Sequence, residues 1–197
     1  MILIKKTFLL FLTALVLFFC SCLNRENIKT VEKFEKKFGI LNSKNLNDVV
    51  DEFESYLNDS YPTSLIDSSY KSFIKNYIND KELNTPKFSE HVNEILLDNS
   101  FRSNFYNYYD GYYSSYSNFY LSIFDNKDID SITLKYLEFL ESGGVLFDFD
   151  VAENVFLNQF DYTNYFHKRF IIVHFFIKPP NYCQYPSSPK SPDFGAK

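Results

Sequence analysis

Apolar residues in this chain recur in steps of three and four over most of its length. Ile28, Val31, Phe34 and Phe38 fall on one face of a helix, and Gly39 follows as a stop. Leu46, Val49, Val50, Phe53, Tyr56 and Leu57 mark a second amphipathic helix. Asn45 is a candidate cap there, with Asp48 three residues in, where the helix dipole favours a negative charge. After the break at Pro62, Ser64 and Asp67 have the spacing of a capping box, ahead of Leu65, Ile66, Tyr70, Phe73, Ile74, Tyr77 and Ile78. Thr85-Pro86 reads as a cap and first-turn proline for a fourth helix, with Phe88, Val92, Ile95 and Leu96 inward.

From Phe101 the pattern continues through Phe105, Tyr109, Tyr112, Tyr116, Phe119 and Ile123. It crosses Asp110-Gly111 without a change of phase, which predicts one helix or two abutting helices and not a hairpin. Ile129, Asp130 and Leu134 resemble a hydrophobic staple around an aspartate cap, opening a helix through Leu137 and Leu140 that Gly143-Gly144 ends. Residues 145–150 alternate with period two, the signature of a short strand or extended turn. Val155, Phe156 and Phe160 return to helical spacing, whereas the apolar run 170–177 fits a buried strand or a buried helix equally well. Five of the seven prolines lie between 179 and 192, so a disordered tail is expected, or one foreign to the evolved domain. No internal repeat is present. The predicted fold is mainly α: a single multi-helix domain over 30–178, with room for one small β element near 145–149.

Ahead of the first helix, Lys5 and Lys6 precede an apolar run of 13 residues, 7–19. That is the length of a signal-peptide core and short for crossing about 30 Å of hydrocarbon. The lysines supply the positive end that stays cytoplasmic during export. Signal cleavage requires a small residue before the cut; Ser21 precedes Cys22, whereas bulky Phe19 precedes Cys20. The stretch Leu17-Phe18-Phe19-Cys20-Ser21-Cys22 resembles the lipobox of bacterial lipoproteins, although Phe19 stands where that family usually has leucine. The resemblance covers residues 1–22. It implies that Cys22 is joined by a thioether to diacylglycerol and becomes the first residue of the mature chain. It further implies a signal peptide over 1–21; the polar residues after it read as a tether over 22–29, and the proline-dense end as a disordered tail over 179–197. The location implied is the bacterial cell envelope, lipid-anchored at the outer membrane or cell surface in preference to the inner membrane. An uncleaved transmembrane helix with two incidental cysteines is the competing reading.

Removal of 1–21 leaves 176 residues, enough for one domain with its own core. It removes two lysines and no acid, so the net charge falls from −5 to −7. An acidic balance argues against nucleic acid as a partner and against electrostatic binding to anionic lipid, leaving the lipid anchor as the membrane contact. With Cys20 removed and Cys22 acylated, Cys183 is the only thiol, so no intrachain disulfide can form. The 23 Phe and 16 Tyr, with no Trp, follow the codon bias of an AT-rich genome, so aromatic abundance alone does not signal a site.

The densest candidate is "NFYNYYDGYYSSYSNFY", residues 104–120, with seven tyrosines. Tyr109, Tyr113 and Tyr120 are its candidate ligand-binding residues, since tyrosine offers a rigid apolar face and a polar tip to sugar or peptide. The alternative is a core stripe formed by Phe105, Tyr112, Tyr116 and Phe119. Asp148, Asp150 and Glu153 lack calcium-loop spacing, as do Asp125, Asp128 and Asp130; these acids read as caps and turn residues. His91, His167 and His174 show no zinc-ligand spacing, and His174 lies in an apolar run as a core histidine would. There is no GxSxG, GxGxxG or Walker loop. No metal or cofactor is therefore expected. The function read from the sequence is a non-enzymatic helical surface that binds a protein or extracellular ligand, a toxin-neutralising lipoprotein being one such case. The alternative is an envelope hydrolase with a site built from scattered histidines and acids.

Overall fold

The computed structural model describes residues 28–80, 86–109, 112–114, 117–126, 129–141 and 152–177. The mainly α prediction holds. Helix α1 covers 28–38 and takes in the last two residues assigned to the tether. Its inward face is Thr30, Phe34 and Phe38, one residue per turn. Gly39 ends it as predicted, with φ +101, a conformation that L side chains rarely adopt. The same residue starts α2 (Ile40–Ser60): the Gly39 carbonyl accepts from the Ser43 N–H at 2.9 Å. Asn45 is therefore interior to α2 and not its cap. The predicted core residues Leu46, Val49, Val50, Phe53 and Leu57 are all buried.

Helix α3 (Ile66–Asp80) buries Tyr70, Phe73 and Ile74. Asp67 does not close a capping box with Ser64. Its oxygens accept instead from Lys71 Nζ (2.8 Å) and from the Tyr162 N–H (2.9 Å). Helix α4 (Glu90–Leu97) starts four residues later than Thr85-Pro86 predicts, because Ser89 takes the cap and accepts from the Val92 N–H. A short helix, α5 (Asn99–Arg102), follows from the Asp98 cap.

The uninterrupted helix expected after Phe101 is not formed. Strands β1 (Asn107–Tyr109) and β2 (Tyr112–Ser114) pair antiparallel, Tyr109 opposite Tyr112. The two residues between them in sequence are Asp110-Gly111, the dipeptide that most favours a tight hairpin. Local turn chemistry overrode the ring spacing. The flanking positions of the predicted stripe, Phe101, Phe105, Phe119 and Ile123, are buried; the side chains of Tyr112 and Tyr116 lie outside the described residues. Helix α6 (Asn118–Phe124) begins at its Ser117 cap. Helix α7 (Ser131–Glu141) begins at Asp130, whose Oδ1 accepts from the Ile132 and Thr133 N–H groups; the aspartate cap is as predicted, whereas Leu134 is half-exposed. Residues 143–150 and 178–197, with the possible β element and the tail, lie outside the described residues.

A π-helical turn (Ala152–Leu157) packs on α3 and leads to α8 (Tyr165–Phe175). The open question over 170–177 is settled as helix to Phe175. Every residue of α8 from Phe166 to His174 except Lys168 is buried. A helix enclosed on all sides has no polar face and hence no sequence period. Aromatic edges join the elements around it. Phe34 packs on Phe38, Phe119, Tyr165 and Phe166, with ring centres 5.4–5.9 Å apart. Phe170 meets Phe119, Tyr120, Tyr136 and Phe160.

Two substitutions test this frame by denaturant unfolding. Phe34→Ala should cost about 3–5 kcal/mol, since it empties the point where α1, α6 and α8 meet. Gly39→Ala should cost about 1–3 kcal/mol through backbone strain alone. An added Cβ would meet only Asn42 Nδ2, at an ordinary 3.5 Å.

Candidate binding cleft

The outer side of α2 and the start of the chain beyond it form an open cleft of about 610 Å³. Tyr56, Asp59 and Ser60 come from the last turns of α2, with Ser55 and Glu52 above them. Tyr61 is the α2 C-cap, its N–H donating to Leu57 O at 2.8 Å, so Pro62 follows where a helix could not continue. The Tyr56 and Tyr61 rings meet edge to face, 6.3 Å apart, and Asn76 Nδ2 of α3 donates to the Tyr61 hydroxyl at 3.2 Å. The far wall is brought in by Glu52. Its Oε2 accepts from Ser89 Oγ at 2.9 Å and its Oε1 from the Ser89 N–H, which fixes the start of α4 and places Lys87 on the cleft.

Glu52 is thus spent on structure, whereas Asp59, Asn76, Lys87 and the serines are exposed. Burial, with Tyr61 beside it, raises the Tyr56 phenol, which stays protonated and can donate. Two rings, hydroxyls, an amide, a carboxylate and an ammonium can hold a ligand having an apolar face and polar edges. No histidine lines the cleft.

Two of the three histidines serve packing. His167, 2 % exposed, stacks on Phe160 at 4.1 Å. Its Nδ1 lies 2.9 Å from the Asp161 N and 3.0 Å from the Asp161 carbonyl oxygen, and its Nε2 lies 3.5 Å from Asp130 Oδ1. Asp130 also accepts from Asn164, the α8 cap, at 3.0 Å. Burial alone would raise the Asp130 carboxyl; hydrogen bonds from His167 and Thr133 outweigh it and hold the group well below the usual range. His174 sits edge-on to Phe156 and Phe175, and burial pushes its imidazole down to about 4. His91 is exposed, with Nε2 3.3 Å from Asp48 Oδ2.

A second polar group is centred on the buried Arg169. The Arg169 guanidinium covers the Tyr165 ring at 3.1 Å, donates to Tyr165 O at 2.7 Å and reaches Asn47 Oδ1. Tyr165 in turn donates to Glu35 Oε1 at 2.9 Å, and Tyr70 to Glu54 Oε1 at 3.2 Å. The Arg169 and Tyr165 bonds fasten α8 to α1 and α2, and the Tyr70 bond fastens α3 to α2.

Of the sequence candidates, Cys22 lies outside the described residues. Tyr109 and Tyr113 fall in the hairpin, where Tyr109 stands opposite Tyr112 and Tyr113 opposite Tyr108; their side chains lie outside the described residues. Tyr120 is corrected. It is 2 % exposed, stacked on Phe170, and so fills the core instead of facing a ligand. The cap at Ser117 sets the phase of α6 and turns Tyr120 inward. Among the described residues no group of three or more His, Cys, Asp or Glu could hold a metal. Sequence reasoning missed the cleft because three distant segments build it; the Tyr61-Pro62 helix end was its one local signal. No family model matches the chain, and no curated protein or solved structure matches it.

The buried histidine fixes a pH dependence. His174 is harder to protonate folded, near 4, than unfolded, near 6.5, so its stabilising contribution is complete above about 6.5 and is lost as pH falls toward 4. Below about 3.9, protonation of Asp130 continues the loss. Thermal melting should show both phases, and His174→Gln should flatten the first while sparing the second. An unchanged profile in His174→Gln would remove the histidine from this account.

Proposed function

We propose that this chain is a lipid-anchored bacterial envelope protein whose helical domain is a non-enzymatic binding module, with the α2–α3 cleft as its ligand site. The cleft carries the binding half: exposed donors and acceptors converge there on two tyrosine rings. The anchor half is supported by Ser21-Cys22 after an apolar run of signal-peptide length. No helix among the described residues is long and apolar enough to cross a membrane. The hydrolase alternative finds little support in the histidines, since His167 and His174 are core residues and His91 stands on an exposed face away from the cleft lining.

Metabolic labelling with a tagged fatty acid tests the anchor. The wild type and Cys20→Ser should take up label, and Cys22→Ser should not and should accumulate as precursor. Label retained on Cys22→Ser rejects Cys22 as the anchor. For the cleft, a panel of oligosaccharides and short peptides screened by ligand-observed NMR should yield binders that Asn76→Ala and Asp59→Asn weaken. Both changes are at exposed positions and should shift stability by no more than about 0.5 kcal/mol. Binders indifferent to both variants would place binding elsewhere.

A further inference from the structure

Helix α1 has two chemically distinct faces. Thr30, Phe34 and Phe38 are buried, while Lys29, Glu32, Lys33, Lys36 and Lys37 are exposed at the same helical spacing on the other side. At the end of that outer face the positive φ of Gly39 turns the chain, leaving Ile40 82 % and Leu41 69 % exposed side by side. Lys44 follows one turn later, also exposed. Glu35, the other acid of this stretch, is drawn inward by Tyr165. Lys37 pairs with Asp125 and Lys44 with Asp48, so part of the charge is compensated. Even so, residues 28–44 hold five lysines and two glutamates in a chain whose net charge is −5.

We propose that the outer face of α1 and the Ile40-Leu41 corner dock on an anionic phospholipid surface. The lysines would meet headgroup phosphates, and the two aliphatic side chains would enter the boundary with the acyl chains. The acidic balance of the whole chain does not oppose this, because charges more than about 8–10 Å away are screened at physiological salt. Position favours lipid over another occupant. Five residues lie between Cys22 and Ile28, at most about 22 Å of extended chain, so an anchor at Cys22 holds α1 beside the bilayer. The inference takes that proximity from the lipoprotein reading and its chemistry from α1 itself.

The chain contains no tryptophan, so Leu41→Trp introduces a single reporter. Leu65→Trp serves as the control: Leu65 is 64 % exposed beyond the far end of α2, a helix about 30 Å long. The full chain is incorporated into vesicles whose acyl chains carry bromine. In anionic vesicles the tryptophan at 41 should emit at shorter wavelength and be quenched far more than that at 65. Lys29→Gln and Lys36→Gln should each lower the docked-to-undocked ratio about fivefold, and high salt should act in the same direction. Equal quenching at 41 and 65 on vesicle-bound protein overturns the docking surface while leaving Cys22 acylation intact. Quenching at 41 in a chain shown not to be acylated upholds the surface and rejects the anchor. A blue shift at 41 that needs no vesicles and grows with protein concentration assigns the corner to self-association and overturns the proposal.

Discussion

Arg169 carries a full positive charge on a helix that has almost no solvent face, and the surrounding elements answer that demand. Burial alone pulls the guanidinium pKa downward, yet arginine keeps its proton in proteins, so the charge has to be met from within. The Tyr165 ring covers one face, the Tyr165 carbonyl and Asn47 accept from its edge, and Glu35 supplies negative charge through the Tyr165 hydroxyl. Breaking such a network from one side leaves an uncompensated charge inside, which is strongly destabilising. α8 therefore sits where α1 and α2 can both reach it, and the aromatic core closes around that arrangement.

The first half of the fold was legible because its helices keep a wet side. Phe34, Phe38, Leu46, Phe53, Phe73 and Val92 fall on apolar stripes and are buried as their spacing requires. α8 was not legible for the opposite reason: with every side covered, apolar residues run on without a period. Around Asp110-Gly111 the difficulty was composition. Where aromatic residues fill so many positions, rings can be found at steps of three or four whether or not a helix exists, and the turn dipeptide was the better signal. Caps failed where two candidates competed within a few residues. Ser89 prevailed over Thr85 because Glu52 of α2 binds it, a partner no local reading supplies.

The same distinction separates core from site. Tyr120 and Tyr56 are the same residue type in equally aromatic surroundings, yet one fills the interior and the other lines an open cleft. What differs is where the helix ends. Tyr120 lies in the first turn of α6, against α8, whereas Tyr56 lies near the end of α2, where the chain turns at Tyr61-Pro62 before α3 begins. Likewise His167 and His174, which sequence alone allowed as catalytic, are absorbed by ring contacts and, for His167, by the Asp130 cap.

The partners of α1 have a consequence for the order of synthesis. Glu35 and Tyr165, joined by a hydrogen bond, are 130 residues apart, and Thr30 is held by Asn126 through its carbonyl. A chain emerging from its N-terminus thus displays Phe34 and Phe38 long before anything exists to cover them. Closure over such separations is intrinsically slow. The domain cannot complete itself while only its first half has been made, so the inward face of α1 stays uncovered until the last helix arrives.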